Sequence, residues 1–224
     1  MELPEDQGQI LLIDKPLTWT SFDVVRKIRN LTRIKKTGHA GTLDPLATGL
    51  LIVCQGKATK KIEGIQNAEK EYTGTIHLGA TTASYDLESE PTPQLDISHL
   101  TPEFILQQAS SFVGFIDQVP PIFSAIKVDG KRSYDLARKG LEPELKSRRI
   151  EIKAFDITDI RLPEITFRVA CSKGTYIRSL AHDLGQKLGT GAYLKSLRRT
   201  KIGDYSVDDA LTPDAFKDTL TQPL

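Results

Sequence analysis

The sequence predicts an α+β fold, a mixed and largely antiparallel central sheet flanked by helices. Three observations predict it. Tyr72–Leu78 alternates apolar and polar residues as a half-buried strand does. Val24, Val25, Ile28 and Leu31 recur at helical spacing, so helices are present too. Strand-like and helix-like stretches are mixed without the steady βαβ rhythm of a doubly wound parallel sheet.

Gln9–Asp14 reads as a first strand. Thr20 and Asp23 have capping-box spacing, with Asp in the place of the commoner Glu. They open a helix whose outer face carries Arg26, Arg29 and Arg33. Residues 35–49, rich in Gly, Thr and Pro, read as a loop. Leu50–Cys54 reads as a short apolar strand and Ala58–Ile65 as a short helix. Residues 80–100 are polar and irregular, which suggests an exposed loop. Thr101-Pro102 opens a helix to about Phe112, with Pro at the first position, where it is tolerated.

Ile122–Val128 reads as a strand and Asp129-Gly130 as a turn. Ser133–Lys139 reads as a helix ended by Gly140. Ile150–Arg161 and Glu164–Ser172 read as paired strands around Leu162-Pro163. A helix from about Tyr176 to Leu188 is stopped by Gly189. Short strands follow near Leu194–Thr200 and Gly203–Val207, and Thr212-Pro213 caps a last helix. No repeat, low-complexity tract or linker interrupts the chain. The expectation is a single domain over residues 1–224, with an ordered core of about 9–210.

With 224 residues, 39% of them hydrophobic, the chain can bury a proper core. It has no run of ~18 apolar residues that could span a membrane. Met1–Gln9 lacks the basic-then-apolar order of a signal peptide, so a cytoplasmic location is expected. Cys54 and Cys171 sit in apolar stretches and are expected as buried free thiols. Four scattered histidines and two lone cysteines give no ligand spacing, so no metal is expected. The net charge of +1 is uninformative, but its distribution is not. Residues 26–36 hold six cations and no acid, and Arg198-Arg199 lies in a second basic block. Such patches suit either a phosphate backbone or a solvated face.

Two stretches could carry chemistry. The first is GHAGTLDPLATGLL, residues 38–51. Asp44 precedes Pro45, which pushes Asp44 out of helical geometry and lets Pro45 begin a helical turn that Asp44 would cap. A capped turn and an ionised nucleophile are both consistent with this pattern. His39 is flanked by small residues and is expected to be accessible. The second is CSKGTYIRSLAHDLG, residues 171–185. Arg178 falls early in a helix, near its positive end, so something must hold it there: a carboxylate such as Asp44, or a phosphate. Gly56-Lys57 resembles the end of a phosphate loop, but Leu51 stands where that motif needs Gly.

Together these stretches resemble the bacterial tRNA pseudouridine-55 synthases, the TruB family. The matching segments are Asp14-Lys15-Pro16 with Thr20-Ser21, GHAGTLDPLATGLL, EYTGTIHLGATT, CSKGTYIRSLAHDLG and LRRTKIG, in the family's order over most of residues 10–205. The resemblance implies the pseudouridine synthase fold and an isomerase that converts uridine-55 in the T loop of tRNA to pseudouridine. It implies base flipping, no metal and no small-molecule cofactor. It makes Asp44 the catalytic carboxylate, with Arg178 its partner and Tyr72 stacking on the base and helping to move a proton. It assigns His39 to fill space in the T loop, Tyr176 and Leu197 to line the base pocket, and Lys15 and Pro16 to support the catalytic loop. Arg26, Arg29, Arg33, Arg198 and Arg199 are the candidates for phosphate contacts, and a monomer is expected.

Two departures stand out. Thr18 occupies a place where the family usually has Gly. The chain also stops about 17 residues after Val207, where many members carry a small RNA-binding PUA domain, so none is expected here. Two rival functions use the same residues: a tRNA-folding chaperone, and a guide-RNA-dependent synthase.

Overall fold

The computed structural model describes residues 8–124, 126–128, 130–133 and 145–221. In chain order the strands are β1 (Gln9–Lys15), β2 (Thr37–His39), β3 (Ala47–Gln55), β4 (Lys70–Leu78), β5 (Gly114–Gln118), β6 (Lys127–Val128), β7 (Lys131–Arg132), β8 (Arg148–Arg161), β9 (Glu164–Cys171), β10 (Ala192–Ile202) and β11 (Tyr205–Ser206). The helices are α1 (Ser21–Thr32), α2 (Ile62–Asn67), α3 (Pro102–Ser110), α4 (Ile177–Leu188) and α5 (Pro213–Thr221). The expected helix over Ser133–Lys139 and its Gly140 stop lie outside the described residues, Ser133 apart, as does Asp129 of the expected turn. The fold class is the expected one, a mixed sheet with mostly antiparallel pairing in which β3 and β10 run parallel. No helix among the described residues is long and apolar enough to cross a membrane.

The chain forms two compact units, Met1–Thr73 with Leu197–Leu224, and Gly74–Ser196. Their boundaries fall inside β4 and β10, so no change of composition marks them.

In the first unit β3 is central. It pairs antiparallel with β1 and with β2, and parallel with β10. Leu50, Ile52 and Cys54 face one core cluster, with Ala40, Ile202 and Val207. Leu51 and Val53 face another, with Ile13, Val24, Ile28 and Phe216. Burial on both faces is why this strand reads as an unbroken apolar run. It is also longer than the expected Leu50–Cys54, because pairing extends its ladder to Ala47 and Gln55. The capping box of α1 forms as expected. Asp23 N–H donates to Thr20 Oγ1 at 3.1 Å, and Thr20 N–H donates to Asp23 Oδ2 at 3.0 Å.

In the second unit β9, β8 and β5 form an antiparallel set with β4 beside β9. Phe155 meets Phe112 and Phe167 edge-on, at 6.2 and 5.8 Å between centroids. Two expectations fail here. The strand expected over Ile122–Val128 is reduced to Lys127–Val128, paired with Lys131–Arg132. The carbonyls of Ile122 and Phe123 are instead taken by side chains, Ser133 Oγ and Arg178 Nη2. The loop 80–100 is irregular, but its first part is buried rather than exposed: Thr82, Ser84 and Asp86 are all under 5% exposed. Both cysteines are buried free thiols, as expected.

Candidate active site

The first unit carries Asp44. The chain leaves β2 at His39 and returns as β3. Gly41 (φ 98°) and Gly49 (φ 100°) bracket Asp44 in the left-handed region that favours glycine. Ala47 N–H donates to the Asp44 carbonyl at 3.0 Å, closing a reverse turn with Pro45 in its second position. Asp44 therefore heads a single tight turn, and β3 pairing claims the chain from Ala47 onward. Its side chain is half-buried and reaches solvent.

Four groups fix the backbone around it. Lys15 is fully buried, and its Nζ donates to the carbonyls of Pro16 (3.0 Å), Trp19 (2.6 Å) and Pro45 (3.3 Å). Burial pushes the Lys15 ammonium down to about 8; the Asp44 carboxylate opposes that fall, the Arg199 guanidinium adds to it, and Asp23 opposes it weakly. Ser21 Oγ accepts from Leu43 N–H at 2.8 Å and donates to Leu43 O at 3.2 Å. Thr18 N–H donates to the Pro45 carbonyl at 2.9 Å. Arg199, 1% exposed, donates from Nε to Leu50 O (2.8 Å), from Nη1 to Thr42 O (3.4 Å) and from Nη2 to Gly41 O (3.1 Å).

That burial corrects the expectation that Arg199 contacts phosphate. Alternation along β10 sends neighbouring side chains to opposite faces, so Arg198 and Arg199 part company. Arg198 is half-exposed and makes a forked pair with Asp14, at 3.0 and 2.7 Å. Arg26, Arg29 and Arg33 are exposed along α1 and just past its end, as expected, although Arg26 is paired with Asp23 at 2.8 Å. His39 is only partly accessible, contrary to expectation, because β2 pairs it with β3. Burial, and then the Arg199 charge, lower its pKa, with the Gly41 backbone opposing, so its imidazole is neutral at physiological pH. Leu197 is half-buried beside Ala47. Tyr72, in the first part of β4, is 8% exposed.

The second unit carries Arg178 and Tyr176. Arg178 is in the first turn of α4 and 5% exposed, which excludes a surface arginine. Asp86 Oδ2 lies 3.6 Å from its Nε, and it donates to Ser84 O at 3.1 Å and Phe123 O at 3.0 Å. A carboxylate and two carbonyls thus help to hold this cation at the positive end of a helix. Tyr176 N-caps α4 without a side-chain cap. Gln118 stands in for one: Tyr176 N–H donates to its Oε1 at 2.8 Å, and its Nε2 donates to Tyr176 O at 3.0 Å. Ser21, Asp86, Gln118 and the bracing role of Arg199 are what sequence reasoning missed. Only Ser21 had a signal, its place in the first matching segment.

A profile of the TruB family pseudouridylate synthase N-terminal domain matches residues 29–177, more than half of the chain. The chain belongs to the TruB family. It is a pseudouridine synthase, an isomerase. A second profile, of the tRNA pseudouridylate synthase B C-terminal domain, matches residues 178–222. The chain is 54% identical over 226 residues to tRNA pseudouridine synthase B of Flavobacterium johnsoniae, covering 97% of this chain and 99% of that one. It is 51% identical over 223 residues to the synthase of that name from Phocaeicola vulgatus, covering 96% and 94%. Among solved structures it is similar to a chain of a Cbf5–Nop10–Gar1 complex, with TM-score 0.75 and 32% identity over 96% of this chain. It is also similar to a chain of an H/ACA RNP bound to a substrate RNA containing 2'-deoxyuridine, with TM-score 0.70 and 29% identity over 93% of this chain. It spans about half the length of those two solved chains, 54% and 52%. The turn at Asp44 lies within the residues that the N-terminal-domain profile matches.

Proposed function

We propose that this TruB synthase isomerises uridine-55 in the T loop of tRNA, with Asp44 as the covalent nucleophile. One observation carries the reading: a half-buried carboxylate on a tight turn whose neighbouring carbonyls are held by buried Lys15 and Arg199. Such a group is fixed in direction yet open to a substrate. In the reaction the bond from ribose C1' to N1 breaks and one from C1' to C5 forms. C5 gives up its hydrogen as a proton and N1 gains one, so nothing is oxidised. A carboxylate serves by attacking either the sugar or the uracil ring.

The other roles follow the family resemblance. Arg178 orients Asp44; its planar fork, unlike an ammonium, can fix a carboxylate in plane. Tyr72 stacks on the flipped base and helps to move a proton, offsetting part of the few kcal/mol that extrusion costs. His39, as an uncharged imidazole, fills the vacated space, while Tyr176 and Leu197 line the pocket and Pro16 supports the loop with Lys15. Arg26, Arg29, Arg33 and Arg198 contact phosphate. The partner is the T stem-loop of tRNA, met by a monomer in the cytoplasm.

The test is tritium release from tRNA labelled at C5 of uridine. Asp44→Asn is expected to lose on the order of 10⁴-fold in release while tRNA affinity stays within a few-fold. Full turnover by that variant refutes Asp44 as nucleophile. No release by the wild type would favour a tRNA-folding chaperone instead. The likeness to a Cbf5–Nop10–Gar1 complex chain favours a second reading, a guide-dependent synthase. Release from tRNA by the lone chain rejects it.

A further inference from the structure

We propose that Arg199 is a positioning residue for Asp44, clamping both ends of the loop that presents it. The inference rests on the reading of Asp44 as nucleophile. Its geometry lies wholly within the first unit. The carbonyls of Gly41 and Thr42 precede Asp44 in the chain, and that of Leu50 follows it. One guanidinium donates to all three, at 3.1, 3.4 and 2.8 Å. The segment from 41 to 50 is thereby closed on one rigid planar group.

The arrangement is built, not incidental. Arg199 pairs with Gly49 across the parallel β3–β10 ladder. A Cβ at Gly49 would lie 2.3 Å from the Arg199 carbonyl oxygen and 2.8 Å from its nitrogen, so only glycine lets the two strands close. Gly41, at φ 98°, turns its carbonyl onto the same guanidinium. Among the described residues no carboxylate pairs with Arg199. A buried guanidinium without a counter-ion is costly unless its donors are used. Here Nε, Nη1 and Nη2 each have a carbonyl. Lysine could not replace it, because three donors on one nitrogen cannot span acceptors spread along a fork.

The test uses the full chain and three measurements. In the wild type, nitrogen-15 NMR should show Arg199 Nε–H and Nη–H signals that exchange slowly and rotate slowly, assigned by through-bond correlation to the Arg199 side chain. Arg199→Lys should then show amide exchange in Thr42–Leu46 accelerated about tenfold or more, while β1 amides keep their protection. Its single-turnover rate should fall about 100-fold, the scale of a misplaced catalytic group, with tRNA affinity within about threefold. A purely structural arginine would lower melting temperature without splitting rate from affinity in this way. A freely rotating guanidinium in the wild type overturns the clamp even if Arg199→Lys does not fold. Equal losses of rate and affinity, or an unaltered loop, also overturn it. Full turnover by Asp44→Asn would sink the reading beneath it, while slow loop exchange and a hindered guanidinium would still show the clamp; the two failures are therefore distinguishable.

Discussion

The two units fix a charged side chain by opposite means. Around Asp44 the cations are buried and the anion is left half open: Lys15 and Arg199 spend their donors on backbone carbonyls. Around Arg178 the cation is itself the buried group, held by the Asp86 carboxylate and the carbonyls of Ser84 and Phe123. The first arrangement stiffens the chain beneath the proposed nucleophile. The second immobilises the charge directly. The difference predicts how each fails. Loss of a backbone brace should loosen a loop, whereas loss of the Asp86 charge should weaken the hold on a buried cation directly.

The sharpest test of that contrast is Asp86→Asn. The amide keeps the size of the side chain and removes its charge. Breaking a buried pair from one side typically costs about 3–5 kcal/mol, because the remaining ion cannot be rehydrated. We expect a loss near the lower figure, since Ser84 and Phe123 continue to accept from Arg178. Thermal or urea unfolding measures it, and turnover should fall with it. A variant as stable as the wild type would mean that Arg178 is held without the Asp86 charge, and the contrast between the two units would fail.

Much of the fold was legible because local chemistry decides it. The capping box of α1, the glycine stop of α4 and the alternation of β4 each depend on residues close in sequence. The site was legible where its geometry needs glycine or proline, as around Asp44. It was not legible where burial is decided by distant partners. Arg198 and Arg199 are chemically identical neighbours, and only the pairing of β10 with β3 sends one to Asp14 and the other into the interior. Asp86 sits in an acidic stretch that reads as a solvated loop, yet Arg178, far along the chain, draws it inside.

A middle-sized effect tests whether Lys15 works as a brace. Its pKa in the fold is lowered to about 8 from 10.5. Between those values the unfolded chain binds the extra proton, so stability gained from this group rises with pH from about 8 to 10.5 and is flat below 8. Activity should move the other way. The neutral amine has two protons for three carbonyls, and the longest bond, to Pro45 at 3.3 Å beside Asp44, is the first to be released. Turnover should therefore fall through about pH 8 while unfolding free energy climbs. Lys15→Met should lose the stability slope and the alkaline limb together. If the limb persists in that variant, another group sets it and Lys15 is only packing.

The smallest effect concerns Thr18, where the family usually has glycine. Thr18 adopts φ 70°, a conformation in which a β-branched residue is a true outlier. An L-residue pays about 1–2 kcal/mol there. Glycine removes that strain but adds about 0.5–1 kcal/mol of chain entropy to the unfolded state. Thr18→Gly should thus stabilise by about 0.5–1 kcal/mol, a rise in Tm of roughly 1–4 °C for a chain of this size. The N–H of residue 18 donates to the Pro45 carbonyl at 2.9 Å, and glycine keeps that donor. Turnover should accordingly stay within about twofold if strain at Thr18 is idle. If the variant is more stable but markedly slower, the threonine is tightening the turn next to Asp44, and the strain belongs with Lys15 and Arg199 among the devices that aim the carboxylate.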